Sequence, residues 1–215
     1  MTAEAPASDS VVPRLLLLGR PELLGGVAPL AFVPERRYQL LALLAMHSGQ
    51  WVPRDRLAAM LWPERANAEA RRNLRHVVFK ARDIAADLQA SDHALCWDVV
   101  TDLSAFESLL GAGQRAQAIE LRRGALLEGL DDAANPAFTE WLSGERMRFD
   151  ARWRQASLDA LAGAAPARRA ELARRVQAID RFDEDALEIQ LRAEIEQGHP
   201  AHAWQLYREY AQSLA

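Results

Sequence analysis

Between positions 71 and 82 the chain places Arg71, Arg72, Arg75, Lys80 and Arg82, with His76 and Phe79 among them. Lys80 is the only lysine of the 215 residues. Over 64–82 there are six positive and two negative residues. Guanidinium groups in such a run suit one kind of chemistry without further machinery: planar forks that grip phosphate oxygens or guanine edges with two bonds. Groups for covalent chemistry do not assemble in the same way. A phosphate-binding loop needs a lysine after its glycines, and Lys80 follows none. There is no Gly-x-Ser-x-Gly, His-Glu-x-x-His or paired-cysteine motif. His199 and His202 would lie one helical turn apart, but two imidazoles do not close a metal site and spacing suggests no third ligand. The chain is therefore expected not to be an enzyme and to use no cofactor or metal.

The net charge of −4 hides a division along the chain. Residues 1–90 carry +3 and residues 91–215 carry −7, so a cationic front and an acidic rear point to two modules with different partners. Other arginine pairs, at 122–123, 168–169 and 174–175, sit among Asp and Glu and read as ordinary neutralised surface. Arg54 and Arg56 precede the basic run and are candidates for phosphate contacts. No apolar run is long enough to span a membrane, the start lacks a signal-peptide pattern, and the lone Cys96 cannot form an internal disulfide. These features favour the cytoplasm.

The elements that must carry the basic run follow from periodicity. Residues 1–11 read as a disordered tail. Apolar stretches at 14–18, 22–24 and 28–33, broken by Gly and Pro, read as three short strands. A first helix runs from Pro34 to near Gly49 with Leu40, Leu41, Leu43, Leu44 and Met46 on a broad buried face, and a second lies between Pro53 and Pro63. The basic run belongs to a third helix, 66–88. Taking 100° per residue from Leu74, a stripe of Ala70, Val77, Val78, Ala81, Ala85 and Leu88 lies within about 60° and faces the core. A two-stranded hairpin with its turn near Asp92 and His93 follows, and Trp97 in it is expected to be exposed, whereas most of the other tryptophans are expected to pack. Beyond Asp102 come short Ala/Arg/Leu-rich helices, the last two resembling one tetratricopeptide unit turning at Gly198, with Ala203 and Tyr207 interlocking.

Three strands, three helices and a hairpin, the basic helix last, is the layout of a winged helix, in which the third helix can enter a major groove about 12 Å wide. The fold class expected is mainly α with a small N-terminal and wing β component: a winged helix-turn-helix domain over 12–100, then an α-helical tetratricopeptide-like domain over 101–215.

The residues also resemble a known family. MLWPE, the ARRNLR…KAR helix, DLSAFE near the expected junction, and RGALLEGL with EWLSGER occur in the order and spacing of Streptomyces antibiotic regulatory protein (SARP) type transcription regulators. The resemblance runs from about Val12 to the end. It implies an OmpR-like winged helix followed by a bacterial transcriptional activator domain, and a sequence-specific, DNA-binding transcription regulator that acts as an activator. The partners implied are double-stranded promoter DNA, reached by helix 66–88 with residues 91–98 as the wing, and RNA polymerase or a second copy in a homodimer, reached through the helical domain. Arg71, Arg72, Arg75, His76, Lys80 and Arg82 occupy the segment that this family uses on DNA, and Phe79 projects from the same face. Trp62 and Leu74 match core positions. The wing departs from the family in lacking glycine, and members often continue into further repeats or an ATPase region, so the chain is expected to be either a fragment cut short in its helical domain or a short regulator. The competing reading is a helical-repeat module that binds protein or senses an effector, with a degenerate winged helix.

Overall fold

The structure, a computed structural model, describes residues 14–161 and 163–214; the tail expected over 1–11 lies outside them. It is mostly helical, with a small β region near the N-terminus and a short hairpin further on. The chain divides into two compact units, one reaching to Phe106 and including Arg122–Glu145, the other made of Glu107–Leu121 and the residues from Arg146 on.

In the first unit, β1 (Arg14–Leu16), β2 (Glu22–Leu24) and β3 (Leu30–Ala31) form an antiparallel meander. On its far edge β1 pairs in parallel with β7 (Val100–Thr101), with Leu15 opposite Thr101. After β1 the chain is held by one carboxylate: the N–H groups of Leu17 and Leu18 donate to Asp102 at 2.6 and 3.1 Å. Asp102 opens α4 (Asp102–Gly111). Thr101 and Ser104 close a reciprocal cap there, each side-chain oxygen taking the other's amide at 2.9 and 3.2 Å.

Helix α1 (Arg36–Ala45) is buried at eight consecutive positions from Tyr38 to Ala45. The one polar side chain in that run, Gln39, accepts from Arg36 at 2.7 Å and donates to Asp132 at 2.9 Å. Around α1 lie α2 (Arg54–Leu61), which buries Leu57, Ala58 and Leu61, and α3 (Asn67–Ala81), which buries Ala70, Leu74, Val77, Val78 and Ala81. The apolar stripe read from the sequence is therefore the core face, but the helix is shorter than 66–88. It ends at Ala81, after which the chain continues in tight turns, Ile84 and Ala85 both donating to the Ala81 carbonyl. Ala85 and Leu88 are still buried, so their spacing records burial and not helix.

A second small sheet packs β6 (Ala94–Cys96) between β4 (Val52–Pro53) and β5 (Gln89–Ala90). Trp97, expected to be exposed, is 1% exposed. Its indole N–H donates to Asp87 at 2.9 Å, and this polar partner lets the ring lie inside.

The first unit also takes in residues 122–145, beyond the boundary expected at 100–101. The Arg123 and Leu127 amides donate to the Leu18 and Leu17 carbonyls at 2.8 Å each, Arg36 pairs with Asp132 at 2.5 Å, and Asn135 donates to the Met60 carbonyl at 3.3 Å. Gly19 and Gly124 meet where this segment crosses β1's end. Gly19 has φ +142° and a Cβ there would lie 3.3 Å from the Gly124 nitrogen, so backbone passes backbone where a side chain would intrude. The change of composition after Asp102 marks a change of texture; the packing does not divide there.

The second unit contains α5 (Arg115–Glu120), the later part of α6 (Pro136–Asp159), α7 (Pro166–Gln177), α8 (Glu184–Glu196) and α9 (Pro200–Ser213). Its large buried anchor is Trp153, whose indole donates to the Ile119 carbonyl at 3.0 Å. Arg168 and Arg175 both reach Glu120, at 2.5 and 3.0 Å, and Arg154 joins Asp183 and Asp185. Ala203 is buried, whereas Tyr207, expected to interlock, is 47% exposed. It stacks on Trp204, itself 62% exposed, at 5.8 Å between ring centroids. Among the described residues no helix is long and apolar enough to cross a membrane.

Candidate nucleic-acid interface

Helix α3 is about 22 Å long at 1.5 Å per residue. Its core stripe leaves Arg71, Arg72, Arg75, His76, Phe79 and Lys80 exposed, and Arg82, just past the helix end, is exposed too. Phe79 is 71% exposed, an aromatic ring in the middle of a cationic face. Among the described residues, Arg72, Arg75, Lys80 and Arg82 make no ion pair. Phe79 and the first-turn Glu69 interrupt the cationic series, and Glu69 is occupied by Arg65 at 3.2 Å.

One cation of this helix, Arg71, is paired with a carboxylate. Its Nε and Nη2 donate to the two oxygens of Asp55 at 2.5 and 2.6 Å. On the helical wheel Arg71 lies about 60° from Leu74, at the margin between core stripe and polar face, and α2 packs beside that margin. Arg71's hydrogen bond holds the Asp55 carboxyl below the usual carboxylate range, and the same bond raises Arg71 above its ordinary value.

Arg54 stands at the start of α2, half-buried, and is fixed to the hairpin. Its Nε donates to the Ser91 carbonyl at 2.8 Å and its amide to that of His93 at 2.9 Å. Burial lowers the Arg54 pKa, helped by the nearby charges of Arg82 and Arg75 and opposed by Asp92. The start of α2, one flank of α3 and the hairpin turn thereby enclose a cleft of about 440 Å³ that holds Arg54, Asp55, Arg71, Arg75, Asp92 and His93. The cleft combines cations with two carboxylates, whereas the face beyond it, carrying Arg72, His76, Phe79 and Lys80, has no carboxylate partner of its own among the described residues.

The residues singled out in the sequence thus fall into three places. Arg54, Arg71 and Arg75 share the cleft, with Arg82 close enough to influence Arg54. Arg72, His76, Phe79 and Lys80 occupy the open face of α3. Arg56 lies apart from both, grouped with His47, Met60 and Trp141. Sequence reasoning missed Asp55, Asp92 and His93. Asp55 is an acid in the first turn of α2, and its partner sixteen residues away is not at any helical spacing.

No family model and no curated protein sequence matches the chain. Among solved structures it is similar to Mycobacterium tuberculosis EmbR in complex with a low-affinity phosphopeptide, with a TM-score of 0.63 and 20% identity over 94% of this chain and 60% of that one. The chain therefore spans about 60% of the length of EmbR. At that identity the likeness is one of fold, and the chain has an EmbR-like fold.

Proposed function

We propose that the chain is a sequence-specific, DNA-binding transcription regulator of the SARP type, acting as an activator in the cytoplasm and carrying out no catalysis. In this reading β1–β3, α1–α3 and the β5–β6 hairpin are a winged helix, α3 lies in the major groove of promoter DNA, and the hairpin is the wing. The helical unit serves contacts with RNA polymerase or a second copy. The observation that carries the reading is the face of α3, where Arg72, Arg75 and Lys80 stand exposed and without carboxylate partners among the described residues. Counterion release from phosphates supplies affinity to such a face, and a few base-edge contacts supply specificity. The EmbR-like fold and the order of sequence motifs support it independently.

Selection of bound duplexes from a random DNA pool tests the proposal. A recovered sequence motif, with affinity that falls steeply between low and physiological salt, is the expected result. No duplex retained at low salt, or a flat salt response, would sink it.

One observation favours the alternative of a protein-interaction module. Leu191, Ile195, Trp204 and Tyr207 line an apolar groove between α8 and α9 of about 340 Å³. Retention of no DNA in the same experiment would favour that reading.

A further inference from the structure

Asp55 and Arg71 are joined by two parallel hydrogen bonds although both are largely in water, with side chains 65% and 56% exposed. A solvent-exposed pair of this kind adds little to stability. Its consequence lies in where it leaves the guanidinium.

An arginine carries five N–H donors. Asp55 takes one from Nε and one from Nη2, the side edge of the fork. Three donors remain, and two of them, one on each terminal nitrogen, point in parallel from the end edge. That edge matches O6 and N7 of guanine in the major groove. It also matches two phosphate oxygens, so a choice must be made between a base and the backbone. The neighbours of Arg71 make it. A phosphate bound there would lie beside the Asp55 carboxylate, with Asp92 in the same cleft. A guanine edge presents acceptors without a net charge.

From this we propose that Arg71 is a guanine-reading residue of α3, and that Asp55 is a positioning residue that orients the Arg71 fork and keeps it off the sugar–phosphate rails. The inference rests on the DNA-binding reading given above. It deepens that reading by separating a neutral, base-reading pair from the open-face cations Arg72 and Lys80, which have no carboxylate partner among the described residues and supply the salt-dependent affinity.

The test uses the full chain, the duplex selected from a random pool, and its single-base-pair variants, with affinities from fluorescence anisotropy at several salt concentrations. Circular dichroism verifies folding, which exposed positions should not disturb. Arg71→Ala should lose about tenfold of discrimination at one G·C pair, leaving the other positions and the salt slope unchanged. Asp55→Ala should lose discrimination at that same pair while steepening the slope of log K against log salt by about 1, as the freed arginine moves to a phosphate. Asp55→Asn, which keeps one accepting oxygen, should lie between wild type and Asp55→Ala. Equal weakening of every duplex by Arg71→Ala, with a slope shallower by about 1, overturns the proposal, because Arg71 would then be a phosphate contact. Intact discrimination in Asp55→Ala overturns the positioning role. A wild-type chain that selects no duplex is a different result: it removes the DNA-binding reading itself, and this inference with it.

Discussion

Asp102 accepts the Leu17 amide at 2.6 Å across 85 residues of sequence. Its side chain is 2% exposed and also receives Leu18 and Arg123. One carboxylate thereby ties the end of β1, the start of α4 and the segment that begins at 122. Asp102→Ala would leave two buried amides without an acceptor, each at about 1–3 kcal/mol. The expected outcome is a loss of about 3 kcal/mol or more, seen as a lower urea midpoint by circular dichroism. Asp102→Asn, which retains one accepting oxygen, should lose less. Equal midpoints for wild type and Asp102→Ala would mean that the tie is unimportant.

The same junction shows what was readable beforehand. DLSAFE stands out in the sequence as a motif, yet nothing in it says that its first residue reaches back to Leu17. Local periodicity was legible: Ala70, Leu74, Val77, Val78 and Ala81 all lie in the core as their spacing requires. The end of α3 was not, because Ala85 and Leu88 keep the helical period while the backbone has already turned. Trp97 was misread for a related reason. Its indole N–H finds Asp87, in the turn ten residues earlier, and no spacing rule points to that partner. Of the candidate interface, the cationic side chains were visible and the Asp55–Arg71 pair was hidden, since pairing between helices leaves no trace in spacing.

The second unit has its own acid-sensitive tie. Burial pushes the Asp183 carboxyl up, but hydrogen bonds from Arg154 and the Ala186 amide, together with the Arg154 charge, outweigh it and hold the group below its usual 3.8. The folded state therefore binds fewer protons here than the unfolded chain. Its contribution is complete above the unfolded pKa and declines as pH falls from about 5 through the folded value. Arg154→Met should destabilise at neutral pH by about 3 kcal/mol, the lower end for breaking a buried pair. It should also flatten the dependence of the urea midpoint on pH below about 5. An undiminished pH dependence in the variant would show that other carboxylates dominate acid unfolding.

Cys96 offers a probe of the hairpin sheet. Burial pushes its thiol pKa up, with Asp98 adding to the effect, and only 4% of the residue is exposed. A thiolate is the reactive form, so both access and ionisation oppose modification. A chromogenic disulfide reagent at neutral pH should label the native chain slowly and the urea-unfolded chain at once. Rapid stoichiometric labelling without denaturant would mean that β5 and β6 open readily.

Arg72 and Arg75 differ from Arg71 in having no carboxylate partner among the described residues, and that difference sets their expected behaviour on DNA. An unpaired guanidinium near a phosphate displaces a counterion and contributes to binding whatever the base sequence. In the proposed function, Arg72→Ala and Arg75→Ala should each cost about 1–3 kcal/mol of operator affinity. If the contacts are to phosphate, the loss should be nearly uniform across base-pair variants and the salt slope should become shallower by about 1 per substitution. Anisotropy titrations at fixed and at varied salt measure both quantities. Unchanged affinity in both variants would count against α3 as the contact surface, since these two side chains have nothing else among the described residues to hold them and no core position to fill.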